Sequence, residues 1–164
     1  MQGNYDTLLR STKSVEVLTN AGVDVACIGG EQICEWSRAT AQEKIAALLA
    51  NYSDDIDAVI SCNDDMALGA INALVNAGYN LPGGEGCTVI PVFGVDATDA
   101  AKELIANKQM TGSIKQDAEG MADAVATITA NLIAGKDKFE GLNENYEVVD
   151  GWTVNIPYSV YTGE

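Results

Sequence analysis

Polar residues stand beyond the ends of three strand-like runs: Asn63-Asp64-Asp65 after Ala58-Val59-Ile60-Ser61, Asp96 after Thr88 to Val95, and Gln116 after Gly112 to Lys115. In an open parallel sheet, ligands sit in the crevice at the carboxyl ends of the strands. Residues in these positions therefore stand where such a sheet does its chemistry. The first segment adds Asn4, Asp6 and Arg10, and the next loop adds Trp36. The set has one chemical theme. Carboxylates accept hydrogen bonds, an arginine fork donates them, and side-chain amides do both. An indole offers a flat apolar plate with a polar edge. Sugar hydroxyls need partners of each polar kind, and the C–H face of a sugar ring suits the plate. Each residue also has a plainer reading. Asp64 is a good helix N-cap, Asp65 complements a helix dipole, Asn63 forms turns and Asp96 can cap the helix after it. Arg10 on a helix face is usually solvated and Trp36 in a loop can simply pack.

The chain has 164 residues, 47% of them hydrophobic, enough for one globular domain with a core. Nine Lys and Arg against 24 Asp and Glu give a formal charge of −15. That balance repels nucleic acid phosphates and anionic membrane surfaces, so neutral or cationic ligands fit better. There is no histidine and there are four scattered cysteines, which removes the commonest zinc sites and histidine-based catalysis. No signal peptide, lipid-anchor motif or apolar run of about 18 residues is visible, and a soluble chain is expected.

The elements that must position these residues follow in order. Asp6 is expected to cap a helix running to about Asn20, with Leu8, Leu9, Val15 and Leu18 as its apolar positions and Gly22 as terminator. No strand precedes it. Val23 to Ile28 reads as a strand, Ala39 to Ala50 as an amphipathic helix using Ile45, Leu48 and Leu49, and Ala58 to Ser61 as a buried strand. A helix opens at Asp64 and closes at Gly78. Thr88 to Val95 reads as a second buried strand, although Pro91 removes one ladder donor. A helix from Thr98 to Asn107, a strand over Gly112 to Lys115 and a helix from Asp117 to about Ala134 follow. Met121, Val125, Ile128 and Leu132 line one face of the last helix. Tyr146 to Tyr161 reads as two strands about Asp150-Gly151. The alternation predicts an α/β fold, a parallel sheet with helices on both faces.

Gln2-Gly3, Asp6, Arg10, Trp36, the run Ala58 to Ala70 (AVISCNDDMALGA), Val92-Phe93-Gly94-Val95-Asp96 and Gly112-Ser113-Ile114-Lys115-Gln116-Asp117 together resemble the second half of the periplasmic sugar-binding proteins. The likeness is strongest to the galactose/glucose-binding branch, with the ribose-binding branch next, and it covers almost the whole chain in order. It implies one lobe of a type I periplasmic binding protein fold, plus elements that cross to the other lobe. On that comparison, residues 1–116 form the C-terminal sugar-binding lobe, 117–145 a helix and loop that pack on an N-terminal lobe, and 146–164 the returning strands. Asp6, Arg10, Trp36, Asn63 and Asp96 match the family's sugar contacts. Asn4 stands where the galactose/glucose branch has histidine, and Gln116 where it has asparagine. Gln116 is instead the residue of the ribose branch.

Asp57 matches a carboxylate that helps close that branch's calcium loop, but the rest of the loop would precede Met1, so no metal is expected; nor is a cofactor or catalysis. The resemblance implies a monosaccharide ligand, a hexose before a pentose, recognised for a sugar ABC transporter whose permease is the partner. The parent would be a periplasmic protein or an extracellular lipoprotein. The rival is the effector-binding core of a sugar-responsive repressor. An enzyme using Asp64 and Asp65 as an acidic pair is a third reading, against which no nucleophile motif appears. A chain without its other lobe is expected to bind sugar weakly and to self-associate through the helix after Asp117.

Cys62 ends one strand and Cys87 begins its neighbour, so parallel geometry puts that pair beyond the ~7 Å Cα separation a disulfide tolerates. The resemblance implies a central strand between Cys27 and Cys62, which would put them about two strand spacings of ~4.8 Å apart. Cys27 with Cys34 stays geometrically open, and free buried thiols are expected.

Overall fold

The computed structural model describes residues 4–163. They divide into two compact units, residues 4–114 with 160–163, and residues 115–159.

The first unit is built on α3 (Asp64–Asn76). Its sequence DDMALGAINALVN places apolar or small residues along one broad face, and Ala67, Leu68, Ala70, Ile71, Ala73 and Leu74 are buried. α2 (Arg38–Tyr52), capped by Ser37, lies against it. Gly69 makes that approach close: a Cβ there would overlap the Arg38 carbonyl. Beneath α3, β1 (Val59–Ile60) pairs parallel with β2 (Val92–Asp96), Val59 opposite Val92 and Ile60 opposite Phe93. With β3 (Gly112–Lys115) and β6 (Ser159–Tyr161) the order is β1-β2-β3-β6. Side chains alternate across a strand. Val92 is accordingly buried in the core with Ile71, Leu74 and Met110, while Phe93 and Ile60 on the opposite face stand open. α4 (Asp99–Ala106) adds Ala101 and Ile105 to that core. Asn80, fully buried, ties the region down: its amide donates to the Ile90 and Gln109 carbonyls and accepts from the Ile90 N–H.

α1 (Tyr5–Asn20) differs from these helices in burying no residue. Its cap is Asn4, whose Oδ1 accepts from Thr7 N–H, and not Asp6 as expected; Asp6 falls in the first turn. The segment Val23 to Ile28 is not a strand. Val23 is exposed, and among the described residues no strand runs beside this segment, so its backbone groups find no ladder. β2 begins at Val92, later than the expected Thr88, although Pro91 still lends its carbonyl to the ladder by accepting from Val59 N–H.

In the second unit, α5 (Ala118–Ala134) is capped by Asp117 and closed by Gly135 at φ 68°. β4 (Glu147–Val149) and β5 (Thr153–Asn155) form an antiparallel hairpin about Asp150-Gly151-Trp152. The tail thus holds three strands where two were expected. Pro157 lacks an N–H and separates β5 from β6, which joins the other sheet. On α5, Met121, Val125 and Leu132 are exposed, while Asn131 donates to the Lys138 and Glu140 carbonyls.

The four cysteines are free. Cys34 is buried, Cys62 and Cys87 are half-buried, and Cys27, against expectation, is exposed because its segment is uncovered. No helix is long and apolar enough to cross a membrane among the described residues.

Candidate functional site

The turn after β1 starts the site. Ser61 Oγ donates to the Asn63 carbonyl, and Asn63 Oδ1 accepts from Met66 N–H, so Asn63 and not Asp64 is the N-cap of α3. Asp64 is thereby displaced into the first turn, and its side chain turns inward: it is 0% exposed. A buried carboxylate must be fully hydrogen-bonded to persist. Here Oδ1 accepts from Ser113 Oγ at 2.6 Å, while Oδ2 accepts from Thr98 N–H at 2.7 Å and Thr98 Oγ1 at 3.1 Å. Gly94 leaves the room, since a Cβ at that position would overlap Asp64 Oδ1.

These bonds hold the turn that carries Asp96. Asp96 at φ 123° and Ala97 at φ 52° both adopt positive φ, which non-glycine residues rarely do. Ala97 N–H donates to Ser113 Oγ at 3.0 Å, and the next N–H, of Thr98, is bound by Asp64. Thr98 Oγ1 also accepts from Ala101 N–H, so Thr98 caps α4 and Asp96 does not. The Asp96 side chain is half-buried, and its carboxyl is raised above the ordinary carboxylate value. Burial is the chief cause and repulsion from Asp64 the next; Arg10 and a hydrogen bond from the Asp64 backbone work against them, and Asp65 adds a little.

Arg10 reaches the same place from α1. Its Nη1 donates to the Cys62 carbonyl at 2.8 Å, and its guanidinium stands 5.9 Å from the centre of the Trp36 ring. One of five N–H donors is committed there, so the fork retains donors for a ligand. Trp36 is half-buried at φ 65°, following Glu35 at φ 50°, and this pair of positive-φ residues aims the indole from its loop. Cys62, between the two turns, has its thiol pKa raised by burial first and by Glu31 second, with Arg10 opposing.

Arg10, Trp36, Asn63 and Asp96 are therefore gathered at the carboxyl ends of β1 and β2. Asp6, one turn before Arg10 on α1, is exposed, and Asn4 is occupied in capping. Gln116 follows β3 in the second unit, half-buried, its carbonyl accepting from Ala118 N–H. Gln2 and Gly3 lie outside the described residues. The sequence reading missed Thr98, Ser113 and Gly94. The available signal was a glycine inside the apolar run Val92 to Val95 and a hydroxyl within β3. Chemically the arrangement offers an acceptor, a donor fork, an amide and an aromatic plate, which is equipment for holding polar ligands.

Residues 1–137 match the model of the periplasmic binding protein domain. The D-galactose/methyl-galactoside binding periplasmic protein MglB of Haemophilus influenzae is 33% identical over 161 residues, which are 95% of this chain and 44% of that protein. A putative rhizopine-binding protein of Rhizobium meliloti is 33% identical over 109 residues, 65% of this chain and 32% of that one. Among solved structures, an ABC transporter solute-binding protein from Bacillus halodurans with bound myo-inositol superposes with a TM-score of 0.73 at 26% identity, covering 99% of this chain and 48% of that chain. One from Clostridium phytofermentans with bound β-D-glucose has a TM-score of 0.64 at 22% identity, covering 93% and 48%, and shares the fold. The chain spans about half the length of these relatives or less. On the match over residues 1–137, with the α/β architecture and the strand-end cluster already described, this chain belongs to the periplasmic binding protein domain family.

Proposed function

We propose that this chain is the sugar-recognising C-terminal lobe of the solute-binding component of a monosaccharide ABC transporter, a binding role without catalysis. The observation that carries the reading is the meeting of the Arg10 fork, the Trp36 ring and the half-buried Asp96 carboxylate at one end of the parallel strands. Asp96 accepts from ligand hydroxyls, Arg10 donates to them, Trp36 stacks on the ring, and Asn63, Asn4, Asp6 and Gln116 complete the polar contacts. Hydrogen bonds to charged groups contribute about 1.5–3 kcal/mol each, so Asp96 and Arg10 dominate affinity. A hexose is favoured over a pentose. Residues 1–116 form the lobe, residues 117–145 pack through α5 on an N-terminal lobe, and residues 146–164 return. The exposed Met121, Val125 and Leu132 support that role for α5 and for self-association of the chain alone. The parent acts in the periplasm or as an extracellular lipoprotein and delivers its sugar to a permease.

Titration calorimetry of the full-length protein with D-galactose, D-glucose, D-ribose and myo-inositol tests the reading. At least one monosaccharide is expected to bind with micromolar affinity or better, and Asp96→Ala to weaken it severely. Unchanged affinity in that variant removes Asp96 from the site.

A further inference from the structure

The structure offers several groups outside the proposed ligand contacts. The exposed apolar face around Phe93 and Val160 has no feature that names an occupant. The cluster of Lys138 over Trp152 and Phe139 is complete in itself. Asp64 is different, because it is a fully buried charge whose described side-chain bonds run to Thr98, just after Asp96, and to Ser113, which in turn binds Ala97 N–H.

We infer that Asp64 is the positioning residue of the site: through Thr98 and Ser113 it locks the two peptide groups after Asp96 and so holds the positive-φ turn that aims the Asp96 carboxylate. Positive φ at two successive non-glycine residues is unfavourable and persists only where surrounding bonds over-determine it. Here they do. Ala97 N–H is held by Ser113 Oγ, whose own proton goes to Asp64 Oδ1, and Thr98 N–H is held by Asp64 Oδ2. The carboxylate accepts at both oxygens, which an amide cannot do, and Gly94 is shaped around it. A buried charge is costly to keep, and a cap for α4 does not need one, because Thr98 already performs it. What the charge adds is the link between three strand-end segments, β1 to α3, β2 to α4 and β3, through one side chain.

The inference rests on the reading of Asp96 as a ligand contact, so the test has one arm that needs sugar and one that does not. Asp64→Asn in the full-length protein is expected to weaken binding of the tightest sugar of the panel roughly tenfold or more. It is also expected to speed hydrogen exchange at the Ala97 and Thr98 amides. The groups facing Asp96 are Asp64 and Asp65 from α3 and Arg10 from α1. Removing the Asp64 charge leaves Asp96 easier to ionise, so the acid-side fall in affinity moves to lower pH. Ser113→Ala should act in the same direction, and the double variant should be no weaker than Asp64→Asn, since both remove one linkage. Where Asp96→Asn weakens binding, wild-type affinity in Asp64→Asn overturns the inference, whether or not exchange quickens, because a role confined to folding would give that result. If Asp64→Asn does not fold, Ser113→Ala decides: unchanged affinity and unchanged Ala97 exchange overturn it. If Asp96→Asn itself leaves sugar binding intact, the ligand reading fails, and exchange at Ala97 and Thr98 still decides whether Asp64 holds the turn.

Discussion

Asp96 and Arg10 are electrostatically coupled, yet the two are held in opposite ways. Asp96 hangs from a turn whose next two N–H groups are bonded, above a core in which Ile71, Leu74 and Val92 are at most 1% exposed. Arg10 hangs from α1, a helix with no buried residue, on which Leu8 is 60% and Val17 64% exposed. A bond from its own guanidinium to the Cys62 carbonyl ties it to the frame. The difference separates two ways of supplying a contact. A residue on the frame is pre-aimed and contributes by its chemistry, whereas a residue on α1 contributes only as far as its helix is kept in place.

The largest expected effect sets the chain alone against the protein carrying both lobes. A half-site leaves one ligand face in water, so the chain alone should bind its sugar no better than millimolar, about 4 kcal/mol. Calorimetry on a fraction shown monomeric by light scattering checks this, and micromolar binding would contradict it. Next in size is the contrast in stability. Leu74→Ala should cost about 2–5 kcal/mol in urea unfolding, against about 0.5 kcal/mol or less for Leu8→Ala; equal costs would erase the distinction between frame and helix. Arg10→Ala should then remove about 1.5–3 kcal/mol of sugar affinity. It should also quicken amide exchange along α1 and leave α3 unchanged, and unchanged exchange in α1 would show that the helix is held by something else.

The smallest effect is the pH dependence of Asp96. Burial and Asp64 raise its folded pKa above the unfolded value. Its contribution to stability is then full below the unfolded pKa and is lost as pH rises through the folded one. Ionised at neutral pH, it opposes folding of the ligand-free protein. Asp96→Asn should therefore raise the thermal midpoint slightly at pH 7, with no difference near about pH 3, where the carboxyl is protonated in both states. Sugar affinity has the opposite sign, since hydroxyls donate to the carboxylate, and falls as pH drops through the raised value. Scanning calorimetry at the two pH values checks the first part, and a lowered midpoint at pH 7 would contradict it.

Local chemistry made the helices and one strand readable. The helices read from Thr98 and from Asp117 appear as α4 and α5, with those two residues as their caps, and Gly112 to Lys115 appears as read. The α/β fold follows from their alternation. Features that depend on distant partners were not readable. Val23 to Ile28 has the composition of a strand, yet a strand exists only with a neighbour, and none of the described strands runs beside it. Asp64 looks like a cap in any local window. Its inward turn depends on Thr98 and Ser113, 34 and 49 residues away, and on Asn63 taking the cap first. The types of the residues that meet at the strand ends were legible, because strand ends of a parallel sheet share an edge. Their stiffness was not, since it comes from bonds behind them.

Gly94 gives this frame a history-dependent constraint. The space its missing side chain leaves is filled by the Asp64 carboxylate, with Met110 Cε 2.8 Å from where a Cβ would lie. While Asp64 is present, alanine at position 94 is barred; once Asp64 is replaced by a smaller residue, the chief clash is gone, leaving the flexible methionine and a tight 3.3 Å approach to the Ala67 Cβ. The two sites are thus epistatic, and the order of substitution matters: a lineage changing position 94 first passes through an unfit intermediate, whereas one changing position 64 first does not meet that clash. In a library randomised at both positions, alanine or larger at 94 should be recovered only with a shortened residue at 64.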